Sequence, residues 1–359
     1  MMDGSGSHKF SDRHVVLATG GAGYIGSHTV VELSKAGYDV VILDNFENSE
    51  RTEVPHIPRL KGAGDVCLVE GDARNAQLVE NIISRHGVSA VIHFAGKKSI
   101  SEAVRDPILY YQDNLSATLG VISGMSATGC SRLVFSSSAM VYGNADVLPT
   151  PETAPTHVTN AYGRTKLFAE QMIDDLVESI LGFRALSLRY FNPVGAHSSG
   201  LIGENPKIPN NLFPYVAQTA AGLRERVSVF GSDYDTIDGS GSRDYIHVVD
   251  LARGHVAAVD FLFRNESVSG IHQRVNLGTG KGHTVLQVLR AFSEACGREV
   301  PFELVGRRKG DAAASLADNQ LAKQLLGWEP IYGLREMCHD HWNFQKGLSA
   351  GRTISTILS

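Results

Sequence analysis

The sequence is short of several things at once. Its 359 residues include four cysteines, two tryptophans and six methionines, and 33 Lys and Arg against 38 Asp and Glu leave a net charge of −5. Cys67, Cys130, Cys296 and Cys338 have no paired spacing, which argues against a disulfide scaffold and for free thiols in a reducing, cytoplasmic compartment. No apolar run reaches the roughly 18 residues that would read as a membrane span. The acidic balance argues against nucleic acid as the main partner, but not against a small phosphorylated ligand, which needs only a few local arginines. Residues 1–12 are Gly/Ser-rich and lack an apolar core, so they read as a flexible leader and not as a secretory signal. Among the histidines only His339-Asp340-His341 resembles a ligand cluster. On a helix, positions two apart diverge by about 200°, so packing or surface roles are expected there and no metal.

What is present is a 43% apolar chain, enough for a large core. Val15 to Thr19 form an apolar run of buried-strand type, followed by Gly20, Gly21, Ala22, Gly23, Tyr24, Ile25 and Gly26 and then a helical pattern. Strand, glycine turn and helix in this order make a phosphate cradle, because glycine permits the tight turn and the helix start offers free N–H groups. Gly21, Gly23 and Gly26 fit one glycine spacing; Gly20, Gly23 and Gly26 fit a wider one, and the downstream residues favour the wider. The next apolar run, Val40 to Leu43, ends at Asp44. A carboxylate there accepts from ribose hydroxyls and repels a 2′-phosphate, favouring NAD over NADP. Arg51 leaves that preference open.

Short apolar runs then alternate with amphipathic ones. Val66–Val69, Ala90–Phe94, Leu133–Ser138 and Ala185–Phe191 read as strands, with helices near 75–86, 114–128 and 161–180. Alternation of this kind implies an α/β fold, a doubly wound parallel sheet whose ligands lie outside the carboxyl ends of the strands. Asp44, Asp72, Phe94, Ala95, Gly96, Ser138, Tyr190, Phe191 and Asn192 fall at such ends.

Ser138 closes one of these strands, and Tyr162 and Lys166 stand four apart, on one face of a helix. A cation beside a phenol favours the phenolate, so the pair reads as an acid/base device for a hydroxyl proton. The pair alone equally fits a solvated helix face; its weight comes from the nucleotide site before it. Past Pro193 the pattern loosens. Helices near 248–264, 284–296 and 332–346 and a strand at 301–305 are expected in a smaller α/β lobe. Its Arg243, Arg307 and Arg308 suit a diphosphate, although Arg307-Arg308-Lys309 also fits a plain solvated patch. The expected division is a leader at 1–12, an NAD-binding unit at 13–193 and a substrate lobe at 194–359, with segments of the lobe free to return to the first unit.

These motifs resemble those of the extended short-chain dehydrogenase/reductases, which have a Rossmann-type fold, and among them the UDP-glucose 4-epimerase family. The matching segments are Thr19–Thr29, Leu43–Asn45, His93–Gly96, Ser136–Ala139 with Val141-Tyr142-Gly143, and Tyr162-x-x-x-Lys166. They continue through Arg189–Pro193, Ile208–Leu212, Arg243–Asp250, Asn276–Gly280 and Arg307–Asp311, so that coverage runs from about residue 14 to 346. The resemblance implies bound NAD and a UDP-sugar substrate, UDP-galactose or UDP-glucose. Tyr162 takes the 4-hydroxyl proton as hydride leaves C4, Lys166 holds the nicotinamide ribose and lowers the phenol's pKa, and Ser138 bonds the 4-oxygen. The 4-keto sugar then rotates and takes the hydride back on its other face. By the same resemblance, Gly20, Gly23, Tyr24, Ile25, Gly26, Asp44, Asn45, Asn48, Ser49, Asp72 and Ala73 hold the cofactor. Phe94, Ala95, Gly96, Lys98, Asn114, Ser136, Tyr190 and Phe191 complete that set. Lys98, Asn192, Asn211, Leu212, Val229, Phe230, Arg243, Tyr245, Arg308, Asp311 and Ser315 hold the substrate with Ser138 and Tyr162. A homodimer through the helices near 114–128 and 161–180 is also implied.

Two positions depart from the family pattern. Met140 stands where similar epimerases have Thr, which removes a hydroxyl near the 4-oxygen. Ser315 stands where members restricted to plain hexoses carry a tyrosine, so acceptance of the 2-acetamido sugars UDP-GalNAc and UDP-GlcNAc is expected. Rival readings are a nucleotide-sugar 4,6-dehydratase, which needs carboxylates that Ala139-Met140-Val141 does not offer, a UDP-glucuronate decarboxylase, and a non-catalytic NAD-sensing scaffold.

Overall fold

A computed structural model describes residues 13–49, 51, 54–206, 209–265, 270–308 and 310–349. The expected leader at 1–12, Ile208 of the Ile208–Leu212 motif and Lys309 of the basic run lie outside the described residues.

The first half winds as strands and helices in turn: β1 (Val15–Thr19), α1 (Tyr24–Lys35), β2 (Asp39–Asp44), the short α2 (Ile57–Leu60), β3 (Val66–Glu70), α3 (Ala76–His86) and β4 (Val88–His93). Then come α4 (Ile100–Arg105), α5 (Pro107–Thr128), β5 (Arg132–Ser138), α6 (Ala161–Ser179), β6 (Arg184–Tyr190) and β7 (Asn192–Val194). Every residue of β1, β2 and β6 is buried, as in a parallel sheet covered on both faces. Caps fix the helix ends. The Asn75 side chain accepts from Leu78 N–H, Asp106 from Leu109 N–H ahead of Pro107, and Asn160 from Gly163 N–H at 2.9 Å.

The second half adds α7 (Leu212–Ala220), β8 (Val227–Phe230), β9 (Ser242–His247), α8 (Val248–Arg264), β10 (Ile271–Leu277), β11 (Gly282–Thr284) and α9 (Val285–Cys296). It ends in β12 (Phe302–Val305), β13 (Ala314–Ser315), α10 (Gln320–Leu326) and α11 (Leu334–Ser349). Seven strands form one parallel sheet in the order β10-β6-β5-β4-β1-β2-β3. β10 therefore returns from beyond residue 194 to pair with β6, and α8, leading into it, packs on α1. One core fills the α1 and α8 side of the sheet (Val16, Val30, Ile42, Leu251, Leu262), another the α3, α5 and α6 side (Leu17, Val41, Val79, Val121, Ile173). A third core, around Phe213, Val229, Phe292 and Trp342, belongs to the lobe, where β9 collects β7, β11 and β13 and β8 pairs with β12.

The helix expected at 114–128 begins two turns earlier, at Pro107, because Asp106 caps it and Pro107 is preset for a first helical position. Of the His339-Asp340-His341 trio, His341 is turned inward against Phe213 and Phe292 and His339 outward. All four cysteines are free.

Candidate active site

The carboxyl ends of β1, β2 and β4 meet at the glycine turn. Gly20 has φ +71, and a Cβ there would lie 2.7 Å from Ala95 N. One on Gly26 would lie 2.4 Å from Gly20 O, and one on Gly23 3.2 Å from the same oxygen. The turn is thus closed on itself and against the turn after β4, as the wider glycine spacing requires, although Gly21 is also confined, with Ala18 O 2.8 Å from its missing Cβ. Such a turn before α1 leaves main-chain N–H groups and the positive end of a helix dipole facing the cleft, a fit for pyrophosphate.

Asp44, at the end of β2, ties the turn to the next loop: Oδ2 accepts from Ala22 N–H (3.0 Å), Oδ1 from Phe46 N–H (2.9 Å) and Ser49 Oγ (2.7 Å). A carboxylate keeps lone pairs to spare after these bonds, so ribose hydroxyls remain within its capacity. Arg51, the residue that left NADP open, is engaged by both Glu70 oxygens and stacks on Phe46, its centre 4.3 Å from the ring. Beyond it Asn45 donates to Asp72, whose carboxyl is held well below the usual range by Arg74. Asn48 is exposed at the loop's surface, and Ala73 is buried under α5.

After β4, Phe94 and Ala95 donate to Thr19 O, and Asn114 on α5 grips the next turn by accepting from Lys97 N–H (2.7 Å) and donating to Lys97 O and Thr165. Lys98 reaches the other way. Its ammonium bonds Glu204 (2.9 Å), which also accepts from Asn211 at 2.7 Å, and lies 5.6 Å from the Tyr24 ring. Two residues expected to hold the substrate are joined by a buried carboxylate that sequence reasoning missed; the only signal was an acid following Gly203.

At the end of β5, Ser138 caps a single 3₁₀ turn (Ala139–Val141), its hydroxyl accepting from Met140 N–H at 3.2 Å. Lys166 lies one turn along α6, its ammonium donating to Ser136 O (2.6 Å) and 5.9 Å from the Tyr162 ring. The expected depression of the phenol is not what these residues produce alone. Burial pushes the Tyr162 pKa up, the Ser138 hydroxyl opposes it, and Lys166, itself lowered to about 8 by burial, is turned to the Ser136 carbonyl.

One further turn of α6 brings Glu170 under the pair. It accepts from Ser137 Oγ (2.5 Å) and twice from Arg189 (3.0 and 2.6 Å), and Arg189 donates to the Tyr142 hydroxyl, which donates to Asn276. This buried chain locks β5, α6, β6 and β10 beside Ser138. Spacing could have found Glu170, four residues after Lys166. Tyr190 is buried, its hydroxyl bonded to His255, whose burial lowers it to about 4. Phe191 packs with Val141, Tyr142 and Ala317.

The lobe gathers a second group. Asn192 on β7 pairs with Tyr245 on β9, while Arg243 on β9 pairs with Ser315 on β13. Ser315 shares the lining of a small cavity with Ala139, Tyr142 and Phe191, next to the Ser138 turn. Arg308 stacks over Phe230 at 4.3 Å and bonds Asp311 (3.0 Å), and Val229 is buried beneath them. Leu212 opens α7 behind Asn211. Tyr245, expected in the substrate set, has its ring in the lobe's interior. It is 4% exposed and packs on Phe213 in the lobe's core, whereas Phe230 is 37% exposed, with Arg308 over one face. Asp244, also missed, holds the lobe's loops. Its carboxylate accepts from Thr279 N–H and Oγ1, Gly280 N–H and Ala317 N–H.

The model of the NAD dependent epimerase/dehydratase family matches residues 16–278. The UDP-glucose 4-epimerase of Mus musculus is 48% identical over 94% of this chain and 98% of its own length, and that of Bacillus subtilis 47% over 92% and 96%. Among solved structures, a UDP-glucose 4-epimerase from Stenotrophomonas maltophila with bound NAD and formylated UDP-arabinopyranose superposes with a TM-score of 0.90 at 47% identity, covering 94% of this chain and 99% of that one. One from Bifidobacterium longum in complex with NAD+ and UDP gives 0.87 at 44%, covering 92% and 98%. With the glycine cradle, the acid closing β2 and the Ser-Tyr-Lys cluster all at the ends of one sheet, the chain belongs to the NAD dependent epimerase/dehydratase family.

Proposed function

We propose that this protein interconverts UDP-galactose and UDP-glucose by inverting C4 through a transient 4-keto sugar. The observation that carries this reading is the placing of Ser138 at the end of β5 and of Tyr162 and Lys166 on α6, with the Lys166 ammonium bonded to Ser136 O of that same strand and 5.9 Å from the Tyr162 ring. NAD, held along Gly20–Gly26, Asp44 and the Phe94–Gly96 turn, supplies a reversible two-electron acceptor and a positively charged ring. Tyr162 takes the 4-hydroxyl proton and later returns it. Ser138 holds the 4-oxygen. Lys166 sets the ribose side and adds positive charge beside the phenol. Arg243, Arg308 and Asn211 grip the diphosphate and Phe230 the uracil, leaving the hexose loosely held by Asn192 and free to turn.

Ser315 leaves room for a 2-acetamido group, so UDP-GalNAc and UDP-GlcNAc are substrates too. Ser315→Tyr is expected to abolish turnover of the acetamido sugars and spare the plain ones; equal loss of both would refute the assignment. The assembly is a cytoplasmic homodimer. Ile108, Leu119 and Phe168 on α5 and α6 are 67, 50 and 40% exposed, an apolar face suited to a second copy, and four free thiols suit a reducing compartment. The test is incubation of purified protein with UDP-galactose, no NAD added. UDP-glucose of unchanged mass supports the reading; loss of water or carbon dioxide, or no product, contradicts it.

A further inference from the structure

One cation in the cleft is used by none of these steps. Lys97 follows Gly96 in the turn after β4 and is 9% exposed, deeper than its neighbour Lys98 at 57%. Its main chain is clamped on both sides by Asn114. Its ammonium bonds Glu47 in the turn after β2 and lies 3.5 Å from Asp113 on α5, which in turn bonds Arg74 at 2.5 Å. β2 and β4 flank β1 in the sheet, so the Lys97–Glu47 bond spans the carboxyl end of β1, where the glycine turn lies. Glu47 reaches it from an unusual backbone. Phe46 has φ +58, the one non-glycine residue with positive φ among those described, and Asn45 and Asp44 side chains hold the turn by accepting from Glu47 and Phe46 N–H. With two carboxylates on it, the Lys97 charge is already matched and is not free to serve a phosphate, as a lysine at a nucleotide site ordinarily does.

We propose that Glu47 and Lys97 form an ionic strap across the mouth of the cofactor cleft that retains the dinucleotide between turnovers. This rests on the reading of the cleft as an NAD site. Retention matters because a reaction that returns its electrons to the sugar gains nothing from exchanging the cofactor. Glu47 is 45% exposed, so salt reaches this bond, whereas the Glu170–Arg189 pair, at 1 and 5%, is shielded.

The test measures NAD release from the purified holoprotein, as nucleotide remaining per protomer after timed dilution at low and high potassium chloride. The set is wild type, Lys97→Met, Lys97→Arg and Glu47→Gln. A charge swap is unsuitable, since a carboxylate at 97 would face Asp113. Release is expected to quicken about 3- to 10-fold in the Met and Gln variants, to stay within about 2-fold in the Arg variant, and to quicken with salt only where the strap is intact. Glu47→Gln alters a half-exposed side chain and keeps the test valid should Lys97→Met fold poorly. Equal release in all four, or equal salt dependence in all four, overturns the strap. A wild-type protein that carries no NAD and takes up none when it is added overturns instead the reading on which the strap rests.

Discussion

The glycine cradle and the lobe built around β9, proposed to hold the cofactor and the substrate, are made from different materials. Around Gly20–Gly26 the working surface is main chain, and its shape depends on missing side chains: Cβ atoms at Gly20 or Gly26 would fall within 2.7 and 2.4 Å of backbone. In the lobe the working surface is side chain, on loops that two buried carboxylates hold in place, Asp244 for the Thr279–Gly280 and Ala317 turns and Glu204 for Asn211, which it ties to Lys98 in the turn after β4. A main-chain cradle is rigid and binds one kind of ligand tightly. A side-chain surface leaves parts of its ligand free, which a sugar that must turn over requires.

The largest effect is expected at the joint between the two. Tyr162→Phe removes the proposed proton carrier and leaves both surfaces intact, so turnover of UDP-galactose is expected to fall by about 10²–10⁴-fold while NAD content stays near wild type. Gly26→Ala attacks the cradle alone. The added methyl meets Gly20 O, overpacking costs about 1–3 kcal/mol, and NAD per protomer falls sharply in the purified protein. Glu204→Gln attacks the lobe side. It leaves the half-exposed Lys98 without its counter-charge, at a cost of up to about 1 kcal/mol after solvent screening, and is expected to raise KM for the UDP-sugar by up to about 5-fold with NAD still bound. If Gly26→Ala keeps its NAD, or Glu204→Gln loses it, the contrast fails.

A smaller, shared effect follows from buried imidazoles. Burial lowers His28 and His93 to about 3 and His255 and His341 to about 4, from the ordinary 6.5. A group depressed in the folded state contributes stability that is complete above the unfolded pKa and lost as pH falls through the folded one. Chemical unfolding is therefore expected to show stability level above about pH 6.5 and declining steadily toward pH 4; a flat profile across that range would count against these four rings being neutral.

The contrast also explains what could be read in advance. The cradle was legible because its requirements are local: glycines at fixed offsets, an acid closing the next apolar strand. Ser138, Tyr162 and Lys166 were legible because a strand end and a helical i, i+4 spacing bring them together. Glu170 stood on the same helical face, but its partners Ser137 and Arg189 lie on two other elements. Asp244 and Glu204 gave no pattern, because each satisfies loops far away in sequence. β10 was missed as a sheet strand because Ile271–Arg274 are only partly covered at the sheet's edge, so its run lacks the continuous apolar character of β1 or β2. The direction of the Tyr162 pKa also escaped, since proximity of a lysine in sequence does not reveal that its ammonium is turned to the Ser136 carbonyl.

The central claim is that the oxidation at C4 is undone on the same sugar within one turnover. UDP-galactose carrying deuterium at C4, incubated with the purified protein in ordinary water with no NAD added, tests it directly. The expected product is UDP-glucose with the deuterium still at C4; loss of the label to solvent, or a product lighter by water or carbon dioxide, would contradict the account.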